Sequence, residues 1–242
     1  MGLGTEMNAQ DIRNNLERVL TRIAHACEEC GRDPEEIELV AVSKYLTTQG
    51  TRALVQALAS LALPIRLGEN RVQALLAKAG ELQEMEPRVH WDLIGSLQRN
   101  KARGAVRVIE RIHSVDRLPL IPLLDRLCAE EERRLPCLLQ VQLTDEGTKH
   151  GFEEEQLPEA LESLAGMERL QLQGFMTMAP RGTDHESARP YFARLRELRD
   201  RLAPDLPTLS MGMSGDYLGA VREGATCLRL GSVLFQEGGS HG

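Results

Sequence analysis

The chain has 242 residues, 42% of them hydrophobic, a net charge of −7 and a pI of about 5.5. That length suits a single (β/α)₈ barrel, a fold of roughly 250 residues. The acidic balance speaks against a general nucleic-acid binder, whose footprint is basic, and no apolar run reaches the roughly 18 residues of a membrane span. The start does not resemble a secretory signal. An odd count of five cysteines then points to reduced thiols and a cytoplasmic location. Cys27-x-x-Cys30 lies in a helical stretch with no second pair, so no metal site is expected.

In chain order, residues 1–8 are expected to be a loose tail. A helix follows from Gln10 to Cys30, with Ile12, Leu16, Val19, Ile23 and Ala26 at helical spacing, stopped by Gly31 and Pro34. Ile37 to Lys44 is predicted to be a buried strand ending in a cation. The alternation then continues. Helices are predicted over Thr48–Leu61, Arg71–Gln83, a short stretch after Asn100, Leu118–Glu132, Gln156–Leu164, Ser187–Leu202 and Asp216–Glu223. Strands are predicted over Ile65–Glu69, His90–Gly95, Val108–Val115, Cys137–Leu143, Leu170–Met178, Thr208–Met213 and Cys227–Gly231. Residues 236–242 read as a second tail. Eight strands separated by helices imply parallel pairing. Their near-equal lengths favour one closed α/β barrel over residues 9–235, a TIM barrel with an extra N-terminal helix, rather than an open sheet.

In such barrels the chemistry sits on the loops that follow the strands. Lys44, one of four lysines against 25 arginines, closes the first strand. Either it is solvated and idle just past the strand end, or it is desolvated and acts as an amine nucleophile toward an aldehyde. The loop Met211-Gly212-Met213-Ser214-Gly215-Asp216 leads from the seventh strand into a helix start, with Ser214 expected as its cap. Gly231-Ser232 follows the eighth strand. Loops seven and eight commonly hold phosphate in these barrels. A phosphorylated aldehyde would satisfy both the amine and this anion site. Arg229 shares a face with Gly231. It would either pair with a carboxylate or donate to a ring nitrogen without surrendering its proton.

Five motifs in register resemble the YggS/PROSC family of pyridoxal phosphate homeostasis proteins. They are Ala41-Val42-Ser43-Lys44, Gly68-Glu69-Asn70, Ile94-Gly95-Ser96-Leu97-Gln98-Arg99-Asn100-Lys101, Ser210-Met211-Gly212-Met213-Ser214-Gly215-Asp216 and Arg229-Leu230-Gly231-Ser232. The resemblance covers about residues 10 to 235. It implies a fold-type III barrel like the N-terminal domain of alanine racemase, with pyridoxal 5′-phosphate (PLP) held by Lys44 as an aldimine. It also implies phosphate contacts from Ser214, Gly231 and Ser232, Arg229 at the pyridine nitrogen, and Asn70 and Met213 beside the cofactor. Lys149 matches a family lysine after the fifth strand. The family often reads Trp-His-Phe-Ile-Gly where this chain has Trp91-Asp92-Leu93-Ile94-Gly95, so that histidine's role is absent or altered. His90, placed before Trp91, is expected on the opposite side of the strand and inherits nothing.

The expected function is a cytoplasmic, monomeric PLP carrier that delivers cofactor to apo-enzymes without robust turnover. Racemisation needs a base on each face of the substrate. In alanine racemases the second comes from an added domain and partner subunit, and no such domain is visible here. The alternatives are a small PLP racemase or decarboxylase using Tyr217 or Lys149, and a Schiff-base aldolase acting through Lys44.

Overall fold

The computed structural model describes residues 7–144 and 150–236. Most of both expected tails, and Lys149, lie outside these residues. Eight parallel strands close into one barrel in the order β1 to β8. They are β1 (Glu38–Val42), β2 (Arg66–Glu69), β3 (His90–Leu93), β4 (Arg111–Val115), β5 (Leu135–Gln140), β6 (Leu170–Met176), β7 (Thr208–Ser210) and β8 (Cys227–Leu230). The crossover helices are α2 (Thr48–Ser60), α3 (Val72–Glu81), α4 (Ala102–Val106), α5 (Leu120–Glu130), α6 (Leu157–Ala165), α7 (Arg189–Leu202) and α8 (Tyr217–Arg222). The barrel is as expected, but equal strand length is not its signature. β6 has seven residues and β7 three. Closure rests on parallel pairing all the way round, with register shifts at β4–β5 and β5–β6 and with Val40 opposite Arg229 where β1 meets β8.

The first helix, α1 (Ala9–Cys30), is well delimited by its sequence. Asn8 caps its start by accepting the Asp11 amide at 2.9 Å. Gly31 ends it in the left-handed region, at φ 68°. Its buried stripe of Ile12, Leu16, Val19, Ile23 and Ala26 packs on α2 and α8. Among the described residues no α-helix follows β8, and α1, packed on α2 and α8, fills the eighth position in the outer ring. The side-chain amide of Asn15 on α1 donates to the Leu234 and Gln236 carbonyls, both at 3.0 Å, and so ties the loop after β8 to α1.

The apolar core lies between the barrel and its helices, and gathers residues from nearly every element, Leu54, Leu67, Leu93, Ile112, Phe175, Phe192 and Leu230 among them. The barrel interior differs from the branched aliphatic layers usual in this fold. Inward strand positions bring Glu38, Arg66, Asp92, Arg111, His113, Ser210 and Arg229 together, and all but Glu38 and Arg66 are buried. His90 is two residues from Asp92 and so shares its inward parity, contrary to the expectation for it. It opens β3 and its Nδ1 lies 2.6 Å from Glu110 Oε2.

Candidate functional site

A cavity of about 410 Å³ opens at the C-terminal ends of the strands. Its lining includes Lys44, Asn70, Met213, Ser214, Arg229, Gly231 and Ser232, the seven residues singled out from the sequence, in one place. Val42, Ile94 and Met178 supply apolar wall, and Tyr45 and Gly215 complete it. Tyr45 was not read from the sequence, and Met178 entered only as the end of the predicted sixth strand. Both stand at the mouth, 65% and 43% exposed, and Tyr45 could have been flagged as the neighbour of Lys44.

Lys44 differs from its expectation. The strand stops at Val42, and Lys44 follows on an exposed turn. Its amine sits 4.8 Å from the centroid of the Tyr45 ring. Burial therefore does not supply the desolvation that the strand reading assumed, although the side chain still borders the cavity. Its backbone is held from behind. Ser43 is buried, and its carbonyl accepts from Lys78 Nζ at 2.7 Å. Lys78 also meets Glu69 at 2.5 Å, and Glu69 accepts from the Ser43 hydroxyl at 2.8 Å. This clamp ties α3 to the ends of β1 and β2. The signal for it was available: Lys78 follows Val72 and Leu75 on the buried stripe of α3.

Asn70 is placed by a close backbone approach. A Cβ added at Gly95 would lie 2.3 Å from the Asn70 carbonyl oxygen, so a side chain there would push the two loops apart. Gly212 has φ +91°, and a Cβ there would meet Ala220 at 2.6 Å. Only glycine suits that turn, which delivers Met213 and Ser214 to the cavity.

Ser214 is not a helix cap. α8 begins at Tyr217 with Asp216 before it, and the Asp216 carboxylate accepts the Met213 amide at 2.6 Å. The Ser214 hydroxyl oxygen instead accepts the Gly231 and Val233 amides, each at 3.2 Å. Two backbone N–H groups thus fix the Ser214 oxygen as an acceptor, which leaves its own O–H to donate into the cavity. A hydroxyl donor so placed suits an anionic oxygen.

Arg229 is buried. Nη1 donates to Ser210 Oγ at 2.7 Å and Nη2 to the Thr177 carbonyl at 2.8 Å. Among the described residues no carboxylate oxygen comes within 4.0 Å of its nitrogens, so the structural ion pair that was one reading of Arg229 is not made. Burial pushes its pKa down from the ordinary arginine value, yet a guanidinium stays charged in proteins. Ser210 leads to His113 Nδ1 at 2.8 Å, and His113 Nε2 to Asp92 Oδ2 at 2.9 Å. Asp92 in turn meets Arg111 and Arg66, each at 2.7 Å. Burial would raise the Asp92 carboxyl. The His113 hydrogen bond and the two arginines outweigh it and hold the group well below the usual range. Burial brings His113 down to about 4. None of this chain of contacts came out of the sequence, although strand parity places all its members inward.

Tyr217, one candidate base, is fully buried. It packs edge-on against His185 and beneath Arg22, and it does not line the cavity. Lys149, the other, lies outside the described residues.

Comparison with known proteins places this geometry. Residues 7–237 match the family model described as alanine racemase, N-terminal domain. A pyridoxal phosphate homeostasis protein of Aquifex aeolicus is 37% identical over 92% of this chain and 96% of its own. Among solved structures, PipY of Synechococcus elongatus PCC7942 with PLP bound is 36% identical, with a TM-score of 0.76 over 88% of this chain and all of PipY. An alanine racemase of Clostridium difficile 630 shares the fold at a TM-score of 0.75, with 15% identity over 97% of this chain and 58% of the racemase. The chain therefore belongs to the pyridoxal phosphate homeostasis proteins, a family built on the alanine racemase N-terminal barrel.

Proposed function

We propose that this protein binds PLP reversibly through Lys44 and serves its intracellular homeostasis as a carrier without robust turnover. The observation that carries the reading is one cavity holding an amine, a serine hydroxyl set by two backbone amides and a buried arginine with no carboxylate within 4.0 Å among the described residues. When bound, PLP supplies an aldehyde that condenses with a primary amine and releases water. Each feature of the cavity has a counterpart in that molecule. Lys44 provides the amine. The Gly231 and Val233 amides, with Ser214 and Ser232, form the phosphate end. Arg229 donates to the ring nitrogen while keeping its own proton, and Asn70 and Met213 flank the ring. The volume lies within the range for small-molecule sites, roughly 300–1,000 Å³.

The lining also supports carriage over catalysis. Among the described residues it contains no carboxylate, histidine or cysteine. Besides Lys44 and Arg229, its titratable side chain is that of Tyr45, which stands mostly in solvent. Two opposed bases for proton exchange are not assembled there. The exposed Tyr45 and Met178 leave the mouth open for transfer to apo-enzymes in the cytoplasm, with the protein acting as a monomer.

Borohydride reduction of PLP-treated protein, followed by intact mass and peptide mapping, tests the reading. A single adduct on Lys44, absent from Lys44→Ala, is expected. An adduct elsewhere, or none, would overturn it. Sustained deuterium exchange at an amino acid's α-carbon at enzyme-like rates would overturn the carrier role and leave the binding site standing.

A further inference from the structure

The interior contacts behind Arg229 have a direction. Asp92 and His113 are both fully buried. His113 Nε2 lies 2.9 Å from Asp92 Oδ2 and its Nδ1 2.8 Å from Ser210 Oγ. The Arg111 Nε also lies 3.0 Å from His113 Nε2, as well as 3.1 Å from Asp92 Oδ2. Two arrangements of the imidazole proton compete. With the proton on Nδ1, Nε2 accepts from Arg111 Nε at 3.0 Å but also faces the Asp92 oxygen at 2.9 Å, two lone pairs opposed in a dry interior. With the proton on Nε2, the Arg111 Nε proton turns to Asp92 Oδ2, 3.1 Å away, both His113 and Arg111 donate to Asp92, and no lone pairs face each other. Charge-assisted bonds are about twice as strong as neutral ones, so the second arrangement wins.

The consequences follow along the chain. Nδ1 is then an acceptor and takes the single proton of the Ser210 hydroxyl. The serine oxygen is left as an acceptor aimed at Arg229 Nη1, 2.7 Å away. The Thr177 carbonyl takes Nη2. A guanidinium has five N–H donors. Two are held from behind, and the others are free to serve the cavity.

Resting on the reading of the cavity as a PLP site, we infer that Asp92 is a positioning residue for its ring-nitrogen end: it fixes His113 with the proton on Nε2, and through Ser210 it sets the guanidinium of Arg229 toward the ligand. The residue acts through three others and touches no ligand itself. The depressed pKa of His113 agrees with a neutral ring at neutral pH.

Two measurements test this. The first is ¹⁵N NMR of histidine side chains in the protein without cofactor, with the His113 signals assigned by their loss in His113→Gln. A neutral ring protonated on Nε2 is expected, changing to a mixed or Nδ1-protonated ring in Asp92→Asn. The second compares affinity for PLP with affinity for its 1-deaza analogue, in which carbon replaces the ring nitrogen. Loss of one well-aimed hydrogen bond should weaken PLP binding about tenfold in Asp92→Asn and in Ser210→Ala, and leave the analogue within about twofold. Ser210→Ala spares the ion pairs, so it keeps the test decisive if Asp92→Asn folds poorly. A wild-type His113 protonated on Nδ1, or equal weakening of both ligands, overturns this inference and leaves the Lys44 site intact. If wild-type protein forms no adduct on Lys44, the cavity reading fails first and takes this inference with it.

Discussion

The two ends of the barrel interior treat charge in opposite ways. At the N-terminal end, Glu38, Arg66, Asp92 and Arg111 are cross-paired, with four contacts of 2.6–2.7 Å between opposite charges. At the C-terminal end, Lys44 and Arg229 meet no carboxylate within 4.0 Å among the described residues. A buried charge without a counterion costs free energy. Lys44 stands exposed, so that cost falls on Arg229 alone, and on the function proposed above the open end would meet a ligand that brings its own anion and acceptor. On that reading the lower cluster serves stability and the upper groups serve binding.

Substitutions can break that division. The largest effect is expected at the lower end. Arg111→Ala or Asp92→Ala strands a buried partner and should cost about 3–5 kcal/mol, read from the urea midpoint. A cost below about 1 kcal/mol would show that water already screens the cluster. Next is a pH effect. His113 has its pKa depressed from 6.5 to about 4 by burial. Between those values the unfolded chain binds a proton that the native state refuses. Stability is therefore full above the unfolded value and should fall by roughly 3 kcal/mol as pH drops through this window, with no further loss from this residue below it. His113→Gln should flatten that part of the profile. The depressed Asp92 carboxyl acts in the same direction at lower pH, its contribution being lost as pH falls through its native value. A smaller change of opposite sign is expected at the upper end. Arg229→Met removes a buried charge that makes no ion pair within 4.0 Å among the described residues, Asp216 attracting it only from farther away. It should leave stability unchanged or raise it by about 1 kcal/mol while PLP affinity falls. Loss of both together would mean that Arg229 is structural. The smallest effect belongs to the exposed rim. Arg103, paired with Glu130 and Glu131 on the surface, should change the midpoint by less than about 1 kcal/mol when replaced by alanine.

What could be read in advance divides along physical lines. The alternation of strand and helix is local, carried by periodicity and by turn residues such as Gly31, and it led directly to the closed barrel. The strand-end motifs were also legible, because sequence order around a parallel barrel is spatial order around its mouth. Lys44, Asn70, Ser214 and Gly231 had to meet once closure was granted. The environment of each was not legible. Whether Lys44 is covered depends on where β1 stops and what stands over the mouth. Ser214 reads as a cap by its place before a helix, and it becomes a bridge only because the loops after β7 and β8 touch. The interior cluster needs four strands in register before its charges find one another. Asp92 looked like a departure from family habit, and three-dimensional pairing shows it at the centre of a network.

The position of α1 has a consequence for when the site comes into being. Helix α1, which precedes every strand of the barrel, supplies through Asn15 the hydrogen bonds that tether a loop 219 and 221 residues further on. Until the loop after β8 has emerged from the ribosome, Asn15 has no carbonyls to hold and that loop has no anchor on α1. Contacts so distant along the chain are slow to form. The nascent chain therefore carries an unclosed barrel until β8 is made, and the Asn15 tether is among the last contacts open to it.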